Sequence, residues 1–115
     1  MKTILKITIL CILSLTITPV IVAQLKIKTM IVTGQDGSHW WQGGSKAIKM
    51  ILENSNLFTV DIHITPDWNE DISAFNPDFK KYDLVVINYG GTTWAEATRS
   101  KFEQFVAGGG GVVVV

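Results

Sequence analysis

Cysteine is nearly absent from this chain. Of 115 residues only Cys11 is one, and it falls inside an apolar amino-terminal run. Beyond residue 23 there is no thiolate nucleophile, no disulfide and no cysteine metal site. Stability must then come from the core or from a partner. Histidine is scarce too, with His39 and His63 alone. An excess of one charge is also lacking, since ten basic residues balance ten acidic ones. Residues 1–23 hold Lys2 and Lys6, so without them eight bases face ten acids. No basic stripe remains to neutralise phosphates, and nucleic acid is not an expected partner. The common phosphate and nucleophile signatures are missing as well. Gly34-Gln35-Asp36-Gly37 lacks the third glycine of a dinucleotide fingerprint, no Walker lysine follows, and no G-x-S-x-G elbow occurs. No nucleotide cofactor is expected.

What the chain does have begins with its first 23 residues. Met1 to Lys6 is basic, Ile7 to Ala23 is apolar, and a small residue closes the run. That order reads as a signal peptide cut between Ala23 and Gln24. The run is short for a membrane span, which takes about 20 apolar residues. The expectation is an exported protein, periplasmic or secreted, with no stable span after cleavage.

Residues 24–115 alternate strand and helix patterns. Lys26–Thr33 is a strand candidate ending in the apolar Met30-Ile31-Val32. Ser45 is placed as a helix cap, with Ala47, Ile48, Ile51 and Leu52 on one face and Lys46, Lys49 and Glu53 on the other. Asn54-Ser55-Asn56 stops that helix. Phe58–Thr65 alternates apolar and polar residues, the mark of a strand buried on one face. His63 falls on its polar face and reads as solvated. A polar connection follows from Asp67 to Tyr82, with Ile72, Ala74, Phe75 and Phe79 as anchors and its carboxylates as a solvated rim. Asp83–Asn88 reads as a strand buried on both faces. Thr93 and Glu96 match a capping box. Thr98, Phe102, Phe105 and Val106 line the next helix, Gly108–Gly111 ends it, and Val112–Val115 reads as another interior strand. The order β-α-β-loop-β-α-β predicts an α/β domain with a parallel sheet of strand order 2-1-3-4, flavodoxin-like in outline. Four valines in an interior strand call for neighbours beyond Val115. The expectation is therefore a domain incomplete at its carboxyl end, with residues 24–115 inactive on their own.

Parallel sheets bind ligands beyond the carboxyl ends of their strands, where the strand order reverses. Here that point lies between the first and third strands. The loops that meet there are Gly34–Gly44 and Tyr89–Thr93, both rich in Gly, aromatic and amide residues. His39 is the candidate acid/base residue and the sole metal-ligand candidate, because an imidazole titrates near neutrality. An exposed or capping histidine is the plain alternative. Asp36 could orient His39, although Asp-Gly is also an ordinary turn. Gln35, Asn88 and Tyr89 are candidate ligand-binding groups. Trp40 offers a flat apolar face to a sugar ring, and Trp94 is either a second such face or a packing residue.

These residues also carry a resemblance. Ile31-Val32-Thr33-Gly34-Gln35, His39-Trp40, Ile51-Leu52-Glu53 and Leu57-Phe58-Thr59-Val60 are similar to the opening of ThuA-like (trehalose-utilisation) domains. Phe75-Asn76-Pro77-Asp78-Phe79, Tyr82 to Val86, Asn88-Tyr89, Trp94, and Phe102-Glu103 through Gly108-Gly109-Gly110 continue the likeness. It covers essentially all of residues 26–115. The resemblance implies a fold like class I glutamine amidotransferases and a role in carbohydrate utilisation, including processing of keto-glycosides. Two positions depart from it: His39-Trp40-Trp41 stands where the family often has His-Asp-Trp, and Thr92-Thr93 stands where an acid often precedes the tryptophan. The implied ligand is a small saccharide or sugar derivative. A divalent metal and a homo-oligomer stay open. The first reading is a sugar-processing hydrolase or lyase; the second is a non-catalytic carbohydrate-binding or scaffold module. A third, an amidotransferase-like domain, would need a cysteine at an elbow downstream.

Overall fold

The computed structural model describes residues 23–35 and 40–115. Residues 1–22, most of the signal-peptide reading, lie outside the described residues, as do Asp36 and His39. The described chain forms a four-stranded parallel sheet in the order β2-β1-β3-β4. The strands are β1 (Ile27–Gly34), β2 (Phe58–Ile64), β3 (Leu84–Tyr89) and β4 (Gly111–Val114). Two helices accompany them, α1 (Trp41–Asn54) and α2 (Glu96–Ala107). Among the described residues no helix is long and apolar enough to cross a membrane.

β1 is the central strand. Ile31 stands between Ile62 of β2 and Val86 of β3, so both of its edges are paired. Side chains alternate across the sheet. On one face Ile31, Val60 and Val86 meet Ile48 and Leu52 of α1. On the other, Met30, Val32 and Val85 meet Phe75, Phe79 and Phe105. That second layer is an aromatic cluster. Phe79 lies 5.4 Å from Phe102 and 6.1 Å from Trp94 between ring centroids, within the range of favourable aromatic pairs.

The connection from Thr65 to Asp83 is more ordered than its polarity suggests. It carries two short 3₁₀ turns, Ile72–Ala74 and Phe79–Lys81. Asp71 accepts from Ser73 N at 2.9 Å and Asp78 from Lys80 N at 3.3 Å. These acids are exposed, as expected of a solvated rim, and Asp71 and Asp78 also build turns; the Ser73 hydroxyl and N–H hold the Asp71 carboxyl below its usual range. Thr98 of α2 donates to Phe75 O at 2.7 Å, pinning the connection to the helix. Phe75 and Phe79 anchor it as expected, whereas Ala74 is exposed.

Several local expectations are corrected. α1 starts at Trp41, so Ser45 is a buried residue inside the helix and not its cap. Ile51 and Ala47 are exposed, because the earlier start and the tilt of α1 present Ser45, Ile48 and Leu52 to the sheet. Lys49, expected outside, is half-buried; it bonds Val60 O and pairs with Glu53 at 2.8 Å. α2 starts at Glu96 with Ala95 before it and no side-chain cap, so Thr93 caps nothing. Val106 is exposed. β4 is the outer strand of the described sheet, and Val113 and Val114 are exposed rather than interior.

Phe79 tests the aromatic layer. It is 1% exposed, and Phe79→Ala should cost about 3–5 kcal/mol through lost transfer energy and a residual cavity. A denaturant melt should show a lower midpoint; an unchanged midpoint would mean that the layer does not hold the sheet.

Candidate functional site

The site is expected at the carboxyl ends of β1 and β3, and there the structure has a buried polar chain on the α1 face. Ser45 donates to Thr33 Oγ1 at 2.7 Å, and Asn88 Nδ2 donates to Ser45 Oγ at 2.9 Å. Asn88 Nδ2 also reaches Trp41 O at 3.5 Å. All three side chains are at most 2% exposed. Buried polar groups are costly unless paired, and here each supplies a partner for the next. The chain joins β1, α1 and β3, so it fixes where the first turn of α1 stands against the sheet. Asn88 is thus a positioning residue for the crevice.

Gln35 ties the two loops together. Its Oε1 accepts from Thr92 N at 2.9 Å and lies 3.3 Å from the Tyr89 hydroxyl, while Nε2 donates to Pro66 O. The residue is 4% exposed with φ +49°, a left-handed conformation that a non-glycine residue adopts only when its surroundings impose it. Tyr89 in turn donates to Thr92 O at 2.6 Å. Burial pushes the Tyr89 phenol above its ordinary range, and the nearby Thr65 hydroxyl opposes that rise. Gly91 allows this closeness, because a Cβ there would strike Gln35 and crowd the Tyr89 hydroxyl. The amide of Gln35 is spent on the protein itself.

The tryptophans separate in role. Trp40 is 76% exposed, and its ring lies over Gly43, where any Cβ would fall inside the ring's space. Trp41 is half-buried at the start of α1. It borders an apolar cleft of about 320 Å³ with Ile62, Ile64, Thr33, Ser45 and Lys46. Trp94 packs into the aromatic layer, 5.4 Å from Phe75 and 5.5 Å from Phe102. Its indole Nε1 is buried with no hydrogen-bond partner among the described residues. Among the described residues no group of three or more His, Cys, Asp or Glu side chains could hold a metal.

A second cluster was not foreseen. His63 is not simply solvated. Its Nε2 lies 2.9 Å from the Tyr82 hydroxyl, which donates to Asp61 Oδ2 at 3.0 Å. The His63 and Tyr82 rings meet edge to face at 5.7 Å and 89°. The Tyr82 phenol is pushed up to about 12, first by burial and then by its bond to the Asp61 carboxylate. Sequence alternation marked His63 and Asp61 as one face of a strand; nothing marked Tyr82, 19 residues on, as their partner.

A four-stranded parallel sheet in the order 2-1-3-4, with helices, defines an α/β domain of flavodoxin-like type. Among solved structures the chain is similar to a protein of Parabacteroides merdae named ThuA-like, at 46% sequence identity and a TM-score of 0.75. The match covers 78% of this chain and 32% of that one. No family model and no curated protein matches the sequence. The chain belongs to the ThuA-like family.

Tyr82 gives a pH test. A folded-state phenol raised to about 12 holds its proton more tightly than an unfolded one near 10, so its contribution to stability is complete below about pH 10 and is lost as pH climbs toward 12. Phenolate absorbance of the folded chain should show a late step near that value, and Tyr82→Phe should remove it. A titration in which both tyrosines ionise together near 10 would contradict the assignment.

Proposed function

We propose that the chain is part of a ThuA-like protein that binds a small saccharide or sugar derivative in the crevice between the loops after β1 and β3. The observation that carries this reading is the tie at Gln35. It joins Gln35, just past the end of β1, to Thr92 and Tyr89 of the β3 loop before any ligand arrives. A pre-ordered site avoids the ordering cost of binding. Trp40, exposed beside the crevice loop, supplies an aromatic face for a sugar ring. His39, in the same loop, is the acid/base group in the enzymatic version of this reading, with Asp36 orienting it. The match to 32% of the Parabacteroides protein makes the activity of the whole protein a matter for the parent polypeptide. Residues 24–115 are expected to show no turnover of a keto-glycoside alone.

One observation favours the second reading, a non-catalytic binding module. Gln35 and Asn88 are both engaged in internal bonds, which shape a platform and commit both amides to the protein. His39→Ala in the parent protein separates the two readings. If the protein is an enzyme, turnover should fall about 100-fold or more while saccharide binding, read by tryptophan fluorescence, persists. Unchanged turnover would remove His39 from the chemistry, and no effect on either turnover or binding would favour the module.

Export belongs to the same proposal. It rests on the basic start and apolar run of residues 1–23. Amino-terminal sequencing of the mature protein should begin at Gln24; a chain still beginning at Met1 would refute cleavage.

A further inference from the structure

The His63 cluster sits beside a groove that the crevice reading does not use. The groove has a volume of about 630 Å³ and runs between β2 and the connection after it. His63, Thr65, Pro66, Glu70, Asn76 and Pro77 are among the residues that line it. Such a volume is typical of small-molecule sites.

The protons can be assigned by counting donors. The Tyr82 hydroxyl has one hydrogen, and Asp61, an acceptor only, takes it. The Tyr82 oxygen must then accept from His63, so Nε2 carries a hydrogen. This holds for neutral and protonated imidazole alike. In the neutral ring Nδ1 is then the acceptor nitrogen, and among the described residues the hydrogen bond found for the ring is the one at Nε2. Tyr82 and Asp61 lie outside the groove lining, whereas His63 is part of it. With Nε2 committed to Tyr82, Nδ1 is the ring nitrogen still able to accept a hydrogen bond from a ligand.

The other polar groups of the groove define what fits there. Glu70 is an acceptor, with one carboxylate oxygen already bonded to Asp67 N at 2.9 Å. Asn76 Oδ1 accepts from Lys101 Nζ at 2.7 Å, which leaves its amide hydrogens as donors. Pro66, Pro77 and Ala74 add small apolar surfaces. The Glu70 carboxylate in the lining disfavours an anion. We propose that this groove binds a neutral polyhydroxy compound, with a ligand hydroxyl donating to His63 Nδ1 in a tautomer set by Tyr82 and Asp61. Tyr82 and Asp61 act as positioning residues for His63. The inference does not rest on the crevice reading, from which the groove is divided by the Thr65–Pro66 segment.

The test is long-range proton–nitrogen NMR of the full chain, with glycerol, glucose, acetate and methylammonium as probes. Before any addition, neutral His63 should be the Nε2–H tautomer. Glycerol and glucose should shift His63 Nδ1, and acetate should not. Tyr82→Phe should give mixed tautomers and raise the Kd for glucose about fivefold, the scale of one weakened hydrogen bond. Asp61→Ala, a change at an exposed side chain, serves the same purpose if Tyr82→Phe does not fold. An Nδ1–H tautomer in the unmodified chain, no Nδ1 shift with either polyol, or a larger response to methylammonium would each overturn the proposal. Shifts of the Gln35 amide without shifts at His63 would leave the crevice reading standing and remove the groove.

Discussion

The structure depends on the burial of β1. Six consecutive residues, Thr29 to Gly34, are inaccessible or nearly so. A strand in that position must be paired on both edges and covered on both faces, because unpaired buried peptide groups are costly. β2 and β3 meet the first demand in parallel register. Parallel neighbours require crossovers, and the crossovers bring α1 to one face and the 65–83 connection with α2 toward the other. The loop after β1 is thereby delivered to the same end of the sheet as the loop after β3. The crevice follows from how a buried central strand has to be surrounded.

Polar residues in this core follow the same logic. Thr29 and Thr33 alternate with Ile31 on the α1 face, where a purely apolar strand would be simpler. Thr33 is used: it receives the Ser45 hydroxyl, and Asn88 donates to Ser45 in turn. A fully paired chain of this kind costs little and fixes one arrangement, whereas loss of one member would leave the others buried without partners. The chain places the first turn of α1, through the Trp41 carbonyl, beside Asn88 near the end of β3.

Burial that repeats along the chain was legible in the sequence. The period-two pattern of Phe58–Ile64 and the apolar runs in β1 and β3 follow directly from how many faces each strand covers. Strand order followed from the same contrast. Pairings between distant residues were not legible. Gly43-Gly44 reads as loop, so Ser45 reads as a cap; the helix runs through both glycines, and the Trp40 ring occupies the space that a Cβ on Gly43 would need. Asp71 and Asp78 read as solvated acids although each caps a turn two residues on. His63 reads as exposed because a polar strand face is usually wet. Here the chain folds back over that face and brings Tyr82 to it. Of the candidate site, topology pointed to the ends of β1 and β3, but the commitment of Gln35 and Asn88 to internal bonds became visible only in three dimensions.

The two polar clusters meet at one piece of backbone. Thr65 N donates to Thr33 O at 2.9 Å, which extends the β1–β2 pairing past the end of β2. The next carbonyl, of Pro66, accepts from Gln35. Proline has no N–H of its own to place, and its fixed φ directs the chain away from the sheet at this point. One side of this segment therefore closes the crevice through Gln35, and the other lines the groove beside His63. A ligand that drew the Gln35 amide toward itself would have to replace the bonds to Thr92 N and Pro66 O together. The geometry favours ligands that fit the crevice with Gln35 left in place, and it makes Gln35 a wall of the site more than a contact within it.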